Sequence, residues 1–275
     1  DWSSDVCSSD LLHHVEEPYR SERAKKLFEM TGMAPFTNRL AGKLSGGMKQ
    51  KLALVCTLIR IPDLLILDEP SVGVDPLSRR ELWAIILEMV KEDKLTVLVN
   101  TGYVEEAVHC DTVHMIHEGK HLISGTPGEV LSSEHGKWFT LEPPESTGHR
   151  RVSDELHIEV KELVRKFGDF TAVDKTSFQV HKGEIFGLLG PNGAGKTTIF
   201  NLITGVYPVS EGNILFDGQS ISGKKPYQII NGGIARTFQN IRLFSELTVL
   251  DNVKIAFHSH VKYGLAETVF RVGRY

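Results

Sequence analysis

The feature that most constrains how this chain can fold is the segment Gly190–Thr197, which fits the pattern G-x-x-x-x-G-K-[ST]. It follows the apolar run Ile185–Leu189 and precedes a helix-like segment, Thr197–Thr204. Glycines let backbone N–H groups approach a phosphate chain closely, and a helix that begins at such a loop turns its positive end toward the anion. The pattern therefore predicts a strand–loop–helix unit that binds the phosphates of a nucleotide.

The residues of this loop have separate expected roles. Lys196 is expected to reach the β- and γ-phosphates, and the hydroxyl of Thr197 is expected to occupy a Mg²⁺ position. The other loop residues that we expect around the nucleotide are Gly190, Asn192, Gly193, Gly195 and Thr198. The alternative is an ordinary glycine-rich turn between a strand and a helix, but the Lys-Thr pair in register argues against it.

Length and composition bound the remaining possibilities. The 275 residues are 41% hydrophobic, enough for one larger domain or two small ones. A net charge of −4 predicts no broad basic field and no nucleic-acid partner. The cysteines, Cys7, Cys56 and Cys110, lack metal or disulfide spacing, which favours a reducing cytoplasm. No apolar run approaches the ~18 residues of a membrane span and no signal peptide is visible, so we expect a chain that is soluble by itself.

The first residues do not read as part of a fold. The stretch Asp5–Leu11 resembles the translation of a common sequencing-library adaptor, and Asp1–Asp5 resembles a second partial copy. We expect residues 1–11 to be an artefactual or disordered tail, and either interpretation excludes them from the fold. The pattern from Leu12 to Met33 is helical.

A second candidate anion site is the segment Leu44–Gln50, which contains Ser45, Gly46 and Gly47 before an apolar-periodic helix. Ser45 is a natural helix N-cap, and the two glycines leave the N-terminus of the helix bare for an anion. Alone, such a segment is most often only a helix cap.

Two adjacent carboxylates follow the buried-type strand Leu64–Leu67. Because ligands of open α/β sheets bind at the carboxyl ends of strands, Asp68 can hold Mg²⁺ through its water shell and Glu69 can polarise an attacking water. A solvated acidic turn is the alternative for this pair alone. A tight loop with Asp75, an amphipathic helix and a second buried-type strand, Thr96–Val99, come next.

These segments together resemble ABC-transporter ATPases. The signature, Walker B, D-loop and Walker A motifs of that family match Leu44–Met48, Leu64–Pro70, Asp75 and Gly190–Thr197. The resemblance extends from Leu12 to Tyr275. It implies an α/β P-loop NTPase fold of the ABC type that binds ATP and Mg²⁺ on the cytoplasmic side of the membrane.

The resemblance also assigns roles by motif. It implies that Ser45, Gly46 and Gly47 meet the γ-phosphate of ATP held on a second ATPase domain, so that the competent ATPase is a dimer. It places Phe167 where an aromatic ring stacks on adenine, although a core phenylalanine is an alternative. Gln239 matches the Q-loop glutamine, a Mg²⁺ and water contact that also senses a transmembrane permease subunit. Glu69, Asp75 and Gln239 are the catalytic candidates, and Thr197, Asp68 and Gln239 the metal candidates.

The chain departs from the family at the switch position, where Gly102 replaces the usual histidine. Glycine cannot hydrogen-bond the γ-phosphate or the attacking water, so we expect slow hydrolysis or none. Met48 replaces the usual signature glutamine, a milder change. The alternatives are a nucleotide-binding module without turnover and a non-transport ABC ATPase acting in translation or repair. The latter usually carries long basic or coiled insertions, which this chain lacks.

The order of the motifs is permuted relative to the family. Residues 12–130 resemble the back half of one nucleotide-binding domain and residues 156–275 the front half of the next, as in tandem-ATPase exporters, with 131–155 as a linker rich in polar residues and proline. The segment Gly233–Phe244 looks more like branched-chain amino-acid importer ATPases. Together with the adaptor-like start, this order indicates a truncated or chimeric gene fragment.

We predict that the two halves dock as one circularly permuted domain. In that arrangement Thr96–Val99 lies between Ile185–Leu189 and Leu64–Leu67, all three parallel. Asp68 then lies roughly 4–5 Å from Thr197, close enough to share one Mg²⁺ and its water shell. The rival arrangement is a head-to-tail sandwich of two half domains, with Ser45 facing the phosphate loop and Asp68 far from it.

The runs Thr112–Ile116 and Lys120–Ser124 read as a hairpin around Glu118 and Gly119. Several histidines and a cysteine lie in this hairpin or just before it. They invite a metal interpretation, but strand alternation places His114 and His117 on opposite faces, which favours solvated or hydrogen-bonded histidines. The residues concerned are His109, Cys110, His114, His117 and His121.

Overall fold

The computed structural model describes residues 17–133, 152–237 and 243–258. The helices of these ranges are α1 Glu17–Met30, α2 Gly46–Leu58, α3 Pro76–Asp93, α4 Val104–Ala107, α5 Pro127–Ser132, α6 Lys196–Ile203, α7 Pro226–Asn231 and α8 Val249–His258, with 3₁₀ turns at Ala34–Phe36 and Ala41–Lys43. The strands are β1 Leu64–Asp68, β2 Thr96–Thr101, β3 Thr112–His117, β4 Lys120–Gly125, β5 Leu156–Phe167, β6 Phe170–His181, β7 Ile185–Leu189, β8 Glu211–Phe216, β9 Gln219–Ser220 and β10 Ile234–Thr237.

The main sheet has six strands in the order β10-β1-β2-β7-β3-β4. β2 pairs in parallel with β1, with Leu67 opposite Val99, and with β7, where Leu98 lies opposite Phe186. Every residue of β1, β2 and β7 is buried, as expected of parallel strands covered on both faces. The predicted position of β2 between the other two strands is confirmed.

The second sheet has the order β6-β5-β8-β9 and is antiparallel throughout. β5 and β6 are each 12 residues long, and each has both buried and exposed residues; these alternate one by one along Lys175–Val180 of β6 but come largely in pairs along β5. The alternation predicted two half-exposed strands here, and the structure confirms both, extended to a turn at Gly168. Inward-facing residues of this sheet, such as Ile158 and Val180, share one apolar cluster with Leu188 of the main sheet and Phe200 of α6.

The hairpin of β3 and β4 is confirmed at the edge of the main sheet. Its turn carries Glu118 and Gly119 at φ values of 48° and 76°, in the left-handed region that glycine adopts most readily. The helix after it begins at a capping box, in which the Thr126 hydroxyl accepts from Glu129 N–H and the Glu129 carboxylate accepts from Thr126 N–H.

The chain divides into two compact units. The sheet unit comprises residues 61–72 and 86–240 and holds both sheets. The helical unit comprises residues 1–60, 73–85 and 241–275, and within its described part α2 packs against α1 and α8. None of the helices in the described ranges has the length and apolar composition needed to cross a lipid bilayer. The linker proposed at 131–155 stays a prediction, and residues 134–151 lie outside the described residues.

Candidate nucleotide-binding site

The phosphate loop connects β7 to α6, and its glycines are required by its geometry. Gly193 and Gly195 have φ values of 83° and 98°, which side chains rarely tolerate. A Cβ added at Gly190 would collide with the carbonyl oxygen of Ile116, and one at Gly195 with that of Ala172. The loop can therefore lie this close to neighbouring backbone only because these positions have no side chain.

The turn of the β3–β4 hairpin braces this loop. Gly119 N–H donates to the carbonyl of Ala194 at 2.9 Å. The carbonyl of Gly119 accepts from Asp174 N–H at 2.8 Å and from the Thr176 hydroxyl at 3.1 Å. The sequence predicted the hairpin but not this contact, because nothing in a turn sequence indicates what the turn will touch.

Lys196 is the first residue of α6 and is only 3% exposed. Its Nζ donates to the carbonyl oxygens of Gly190 at 2.8 Å and Pro191 at 3.0 Å. Burial lowers the pKa of Lys196, and the nearby carboxylates of Glu69 and Asp68 oppose that effect. The ammonium group is thus held at the loop by backbone oxygens, the arrangement from which it can turn to a phosphate.

Asp68, Asn100 and Thr197 meet at the carboxyl ends of β1 and β2 and the start of α6. The Thr197 hydroxyl donates to Asp68 Oδ1 at 3.3 Å. The Asn100 amide nitrogen donates to the same oxygen at 2.6 Å and to the Thr197 hydroxyl at 3.2 Å. The predicted proximity of Asp68 and Thr197 is confirmed.

This cluster fits Mg²⁺. Hard cations prefer carboxylate, hydroxyl and carbonyl oxygens, and Asp68 and Thr197 present two of these side by side. Within the described ranges, Asn100 Oδ1 is buried with no hydrogen-bond partner, so the amide that donates to Asp68 and Thr197 keeps one acceptor unused. Asn100 was not among the predicted site residues, although its place at the end of a buried strand was a signal for it.

Arg236 also reaches this cluster, although no sequence pattern indicates it. Its Nη2 lies 2.6 Å from Asp68 Oδ2, and the two side chains are 5% and 2% exposed. Its Nη1 donates to Asn201 Oδ1 at 2.8 Å and to the Thr204 hydroxyl at 2.9 Å. The contact joins residues that are 168 positions apart, which no local pattern can predict.

Glu69, the residue after Asp68, has a strained backbone conformation. Its φ of 47° lies in the left-handed region, which is unusual for a residue with a side chain and recurs at functional sites. Its N–H donates to the carbonyl of Asn100 at 2.9 Å, which ties the end of β1 to the end of β2. The half-buried carboxylate is close enough to Lys196 to raise the pKa of that amine.

Gly102 lies beside the phosphate loop. A Cβ added there would meet only the carbonyl oxygen of Gly190, at 3.8 Å, an ordinary van der Waals distance. Gly102, the predicted switch position, therefore lies next to the loop, and a Cβ has room there.

Phe167 ends β5 and is 40% exposed, so it is not a core phenylalanine. The Arg165 guanidinium carbon lies 4.4 Å from the centroid of its ring, and Tyr207 packs edge-on at 5.3 Å. Phe170, opposite it in the hairpin, is 66% exposed. Stacking of adenine on Phe167 stays a prediction.

Four predicted residues lie in the helical unit. Ser45 caps α2, because its hydroxyl accepts from Met48 N–H at 3.3 Å. Gly47 packs so closely on Ser78 that an added Cβ would lie 2.7 Å from the Ser78 hydroxyl. The Asp75 carboxylate accepts from Ser78 N–H at 3.0 Å, and this hydrogen bond lowers the pKa of Asp75. Gly46, the first residue of α2, is the fourth.

The remaining predicted residues are placed as follows. Asn192 is exposed on the phosphate loop and Thr198 is half-buried on α6. Gln239 lies outside the described residues. Roles for all of these stay predictions.

The histidines of β3 and β4 form a hydrogen-bonded pair. His114 and His121 stack with ring centroids 3.9 Å apart, and Ser124 Oγ lies 2.5 Å from His114 Nδ1 and 2.9 Å from His121 Nε2. Burial lowers the pKa of His114 to about 3. Parallel stacked rings do not converge on one point, so this geometry is that of packed histidines.

Comparison with known proteins places the chain in a family. The family model for ABC transporters matches residues 4–72 and 173–273. The probable multidrug ABC transporter ATP-binding protein YbhF of Escherichia coli (strain K12) is 35% identical over 336 residues, which cover 92% of this chain and 56% of the relative.

Two further relatives match a shorter part of the chain. The high-affinity branched-chain amino acid transport ATP-binding protein BraF of Pseudomonas aeruginosa is 40% identical over 114 residues, covering 42% of this chain and 45% of BraF. Its counterpart LivG of Escherichia coli (strain K12) is 44% identical over 108 residues, covering 39% of this chain and 42% of LivG. The chain spans about half the length of these curated relatives. With its phosphate loop and mixed sheet, the chain belongs to the ABC transporter family and has the P-loop NTPase fold of ABC-type ATPases.

Proposed function

We propose that this chain is an ATP-binding part of an ABC transporter that binds ATP together with Mg²⁺ in its sheet unit. The observation that carries the proposal is the meeting of the phosphate loop, buried Lys196 and the Asp68–Asn100–Thr197 cluster at the carboxyl ends of parallel strands. This is the end of an α/β sheet at which ligands bind.

Each residue of the site has a task in this function. Lys196 exchanges its contacts to the loop carbonyls for phosphate oxygens, and the N-terminus of α6 adds its positive end. Thr197 and Asp68 are the residues that would hold Mg²⁺, and the Asn100 amide keeps the Thr197 hydroxyl and Asp68 Oδ1 in place. When bound, Mg²⁺ neutralises phosphate charge. Glu69 stands at the end of β1 as the group that polarises an attacking water.

We also propose that the chain forms one permuted nucleotide-binding domain. Support comes from the sheet, in which β1 and β2, from before residues 134–151, lie side by side between β10 and β7, from after them. In this proposal Ser45, Gly46 and Gly47 meet ATP on a second ATPase domain, and Gln239 senses a permease. The relatives named above are ATP-binding proteins of transport systems, which supports a permease partner and a place at the cytoplasmic face of the membrane.

Slow turnover, or binding without turnover, is the second candidate. Gly102 favours it, since the position beside the phosphate loop carries no side chain that can hydrogen-bond the γ-phosphate. Both candidates require nucleotide binding and differ only in hydrolysis.

The test is a titration of the whole chain with a fluorescent ATP analogue, with Mg²⁺ and with a chelator. Lys196→Ala should weaken binding at least about tenfold, because a charge-assisted hydrogen bond of this kind contributes about 1.5–3 kcal/mol. Lys182→Ala is the matched control, since that lysine is 37% exposed and pairs with Glu155. Equal affinity of the wild type and Lys196→Ala would refute the proposed site.

A further inference from the structure

We propose that Arg236 is a positioning residue of the nucleotide site. It holds the Asp68 carboxylate so that one oxygen faces Thr197 and the metal side, and it ties that carboxylate to β10. The inference rests on the proposed nucleotide function and adds a residue that supports its Mg²⁺-dependent part.

The guanidinium of Arg236 connects three elements. Arg236 lies on β10 opposite Ile66 of β1. One amino group pairs with Asp68 at the end of β1, and the other donates to Asn201 and Thr204 of α6 and its C-cap. A planar fork with donors in fixed directions suits this task, because it cannot rotate without losing several contacts at once.

The contact with Arg236 gives the two carboxylate oxygens of Asp68 different partners. Oδ2 lies against Arg236, while Oδ1 accepts from Asn100 and Thr197. With Oδ2 occupied, Oδ1 is the oxygen presented to the hydroxyl of Thr197. Without Arg236 only the hydrogen bonds from Asn100 and Thr197 to Oδ1 restrain the carboxylate, so its orientation toward the metal side is held less firmly.

Because the Arg236–Asp68 pair is buried, substitution of either residue should have a large effect. Both side chains are almost fully removed from solvent, so salt and water screen the interaction weakly. Removing one partner of such a pair leaves the other as an uncompensated buried charge. The Arg236 guanidinium also lies 5.9 Å from the centroid of the Phe200 ring on α6, which further fixes its place.

In this arrangement, different residues provide the metal-free affinity for the nucleotide and the gain in affinity from Mg²⁺. The phosphate loop and Lys196 bind phosphates directly, and neither contacts Arg236 in the hydrogen bonds described. Arg236 acts through Asp68, so its loss should reduce the gain in affinity that Mg²⁺ provides and leave metal-free binding nearly unchanged. A residue needed only for folding would weaken both.

The experiment measures the affinity of the whole chain for the fluorescent ATP analogue with a chelator and with saturating Mg²⁺. For Arg236→Met we expect the Mg²⁺-dependent gain to fall about tenfold, with metal-free affinity within about twofold of the wild type. Arg236→Lys should show an intermediate loss, because one ammonium cannot serve Asp68, Asn201 and Thr204 together. Lys161→Met is the control: it removes a strand cation that pairs with Glu159 but is 56% exposed.

A nucleotide-free measurement tests the contact itself. Arg236→Met and Asp68→Asn should shift the urea midpoint non-additively, because each removes the other's partner. Additive shifts, an undiminished Mg²⁺ gain, or equal losses with and without Mg²⁺ would each overturn the inference while leaving the proposed function intact. A wild type that binds no ATP would overturn both. If Arg236→Met does not fold, Arg236→Lys decides the test, and a Mg²⁺ gain equal to that of the wild type would overturn the inference.

Discussion

Replacing Gly102 by histidine should raise ATP turnover if the missing side chain is what limits it. The first atom of the new side chain fits, because a Cβ at Gly102 lies 3.8 Å from the carbonyl oxygen of Gly190 and meets nothing closer. Gly102 is also absent from the glycines with positive φ in the described ranges, so a side chain introduces no backbone strain there.

The magnitude follows from one hydrogen bond. An imidazole beside the phosphate loop can bond the γ-phosphate or the attacking water, and a hydrogen bond to a charged group contributes about 1.5–3 kcal/mol. If it strengthens in the transition state, turnover rises roughly tenfold to a hundredfold, and KM for ATP changes little. A free imidazole titrates near pH ~6.5 and a neighbouring phosphate raises that pKa, so the pH profile of turnover should change above that value.

The assay is phosphate release at saturating Mg²⁺ and ATP over a range of protein concentrations. Gly102→Ala is the matched control, because it adds the Cβ without the imidazole and should leave turnover unchanged. Adding Glu69→Gln to Gly102→His should abolish the gain, since the carboxylate proposed to polarise the water is then lost. A fall in turnover with Gly102→His, or an equal rise with Gly102→Ala, would refute this reasoning.

Two further predictions concern stability. Gly195→Ala should lower the melting temperature and nucleotide affinity more than Gly193→Ala, because both have positive φ but only Gly195 faces a carbonyl oxygen, that of Ala172; equal effects would contradict this. Burial lowers the pKa of His114 to about 3, against ~6.5 in an unfolded chain. Between these two values the unfolded state binds one proton that the folded state does not, so the stability of the fold decreases as the pH drops from ~6.5 toward 3. His114→Phe should flatten the fall in urea midpoint between pH ~7 and ~5, and an unchanged slope would count against it.

The sequence predicted the parts of the site that short motifs encode. The phosphate loop, the carboxylate after β1 and the place of β2 between β1 and β7 all follow from apolar runs and their flanking residues. Such runs indicate buried strands, and the family resemblance supplied their order. The contact of Asp68 with Thr197 then follows from that order.

The sequence could not predict contacts made by residues without a motif. Arg236 is one charged residue near the start of a glutamine-containing segment, and its partner is set by the pairing of β10 with β1. The brace at Gly119 likewise depends on where the β3–β4 hairpin lies relative to β7. In both cases the informative quantity is which strands are neighbours, and a short run of sequence does not encode it.

The position of β7 has a consequence for how the chain folds during synthesis. β7 separates β2 from β3 in the finished sheet, yet residues 185–189 are made long after both. Until β7 emerges, the inner edges of β2 and β3 have no neighbour, and their backbone N–H and C=O groups can pair with other chains. Pairing across so many residues is also slow. A nascent chain with these open strand edges is therefore exposed to aggregation until β7 is made, and rapid completion or chaperone protection lowers that risk.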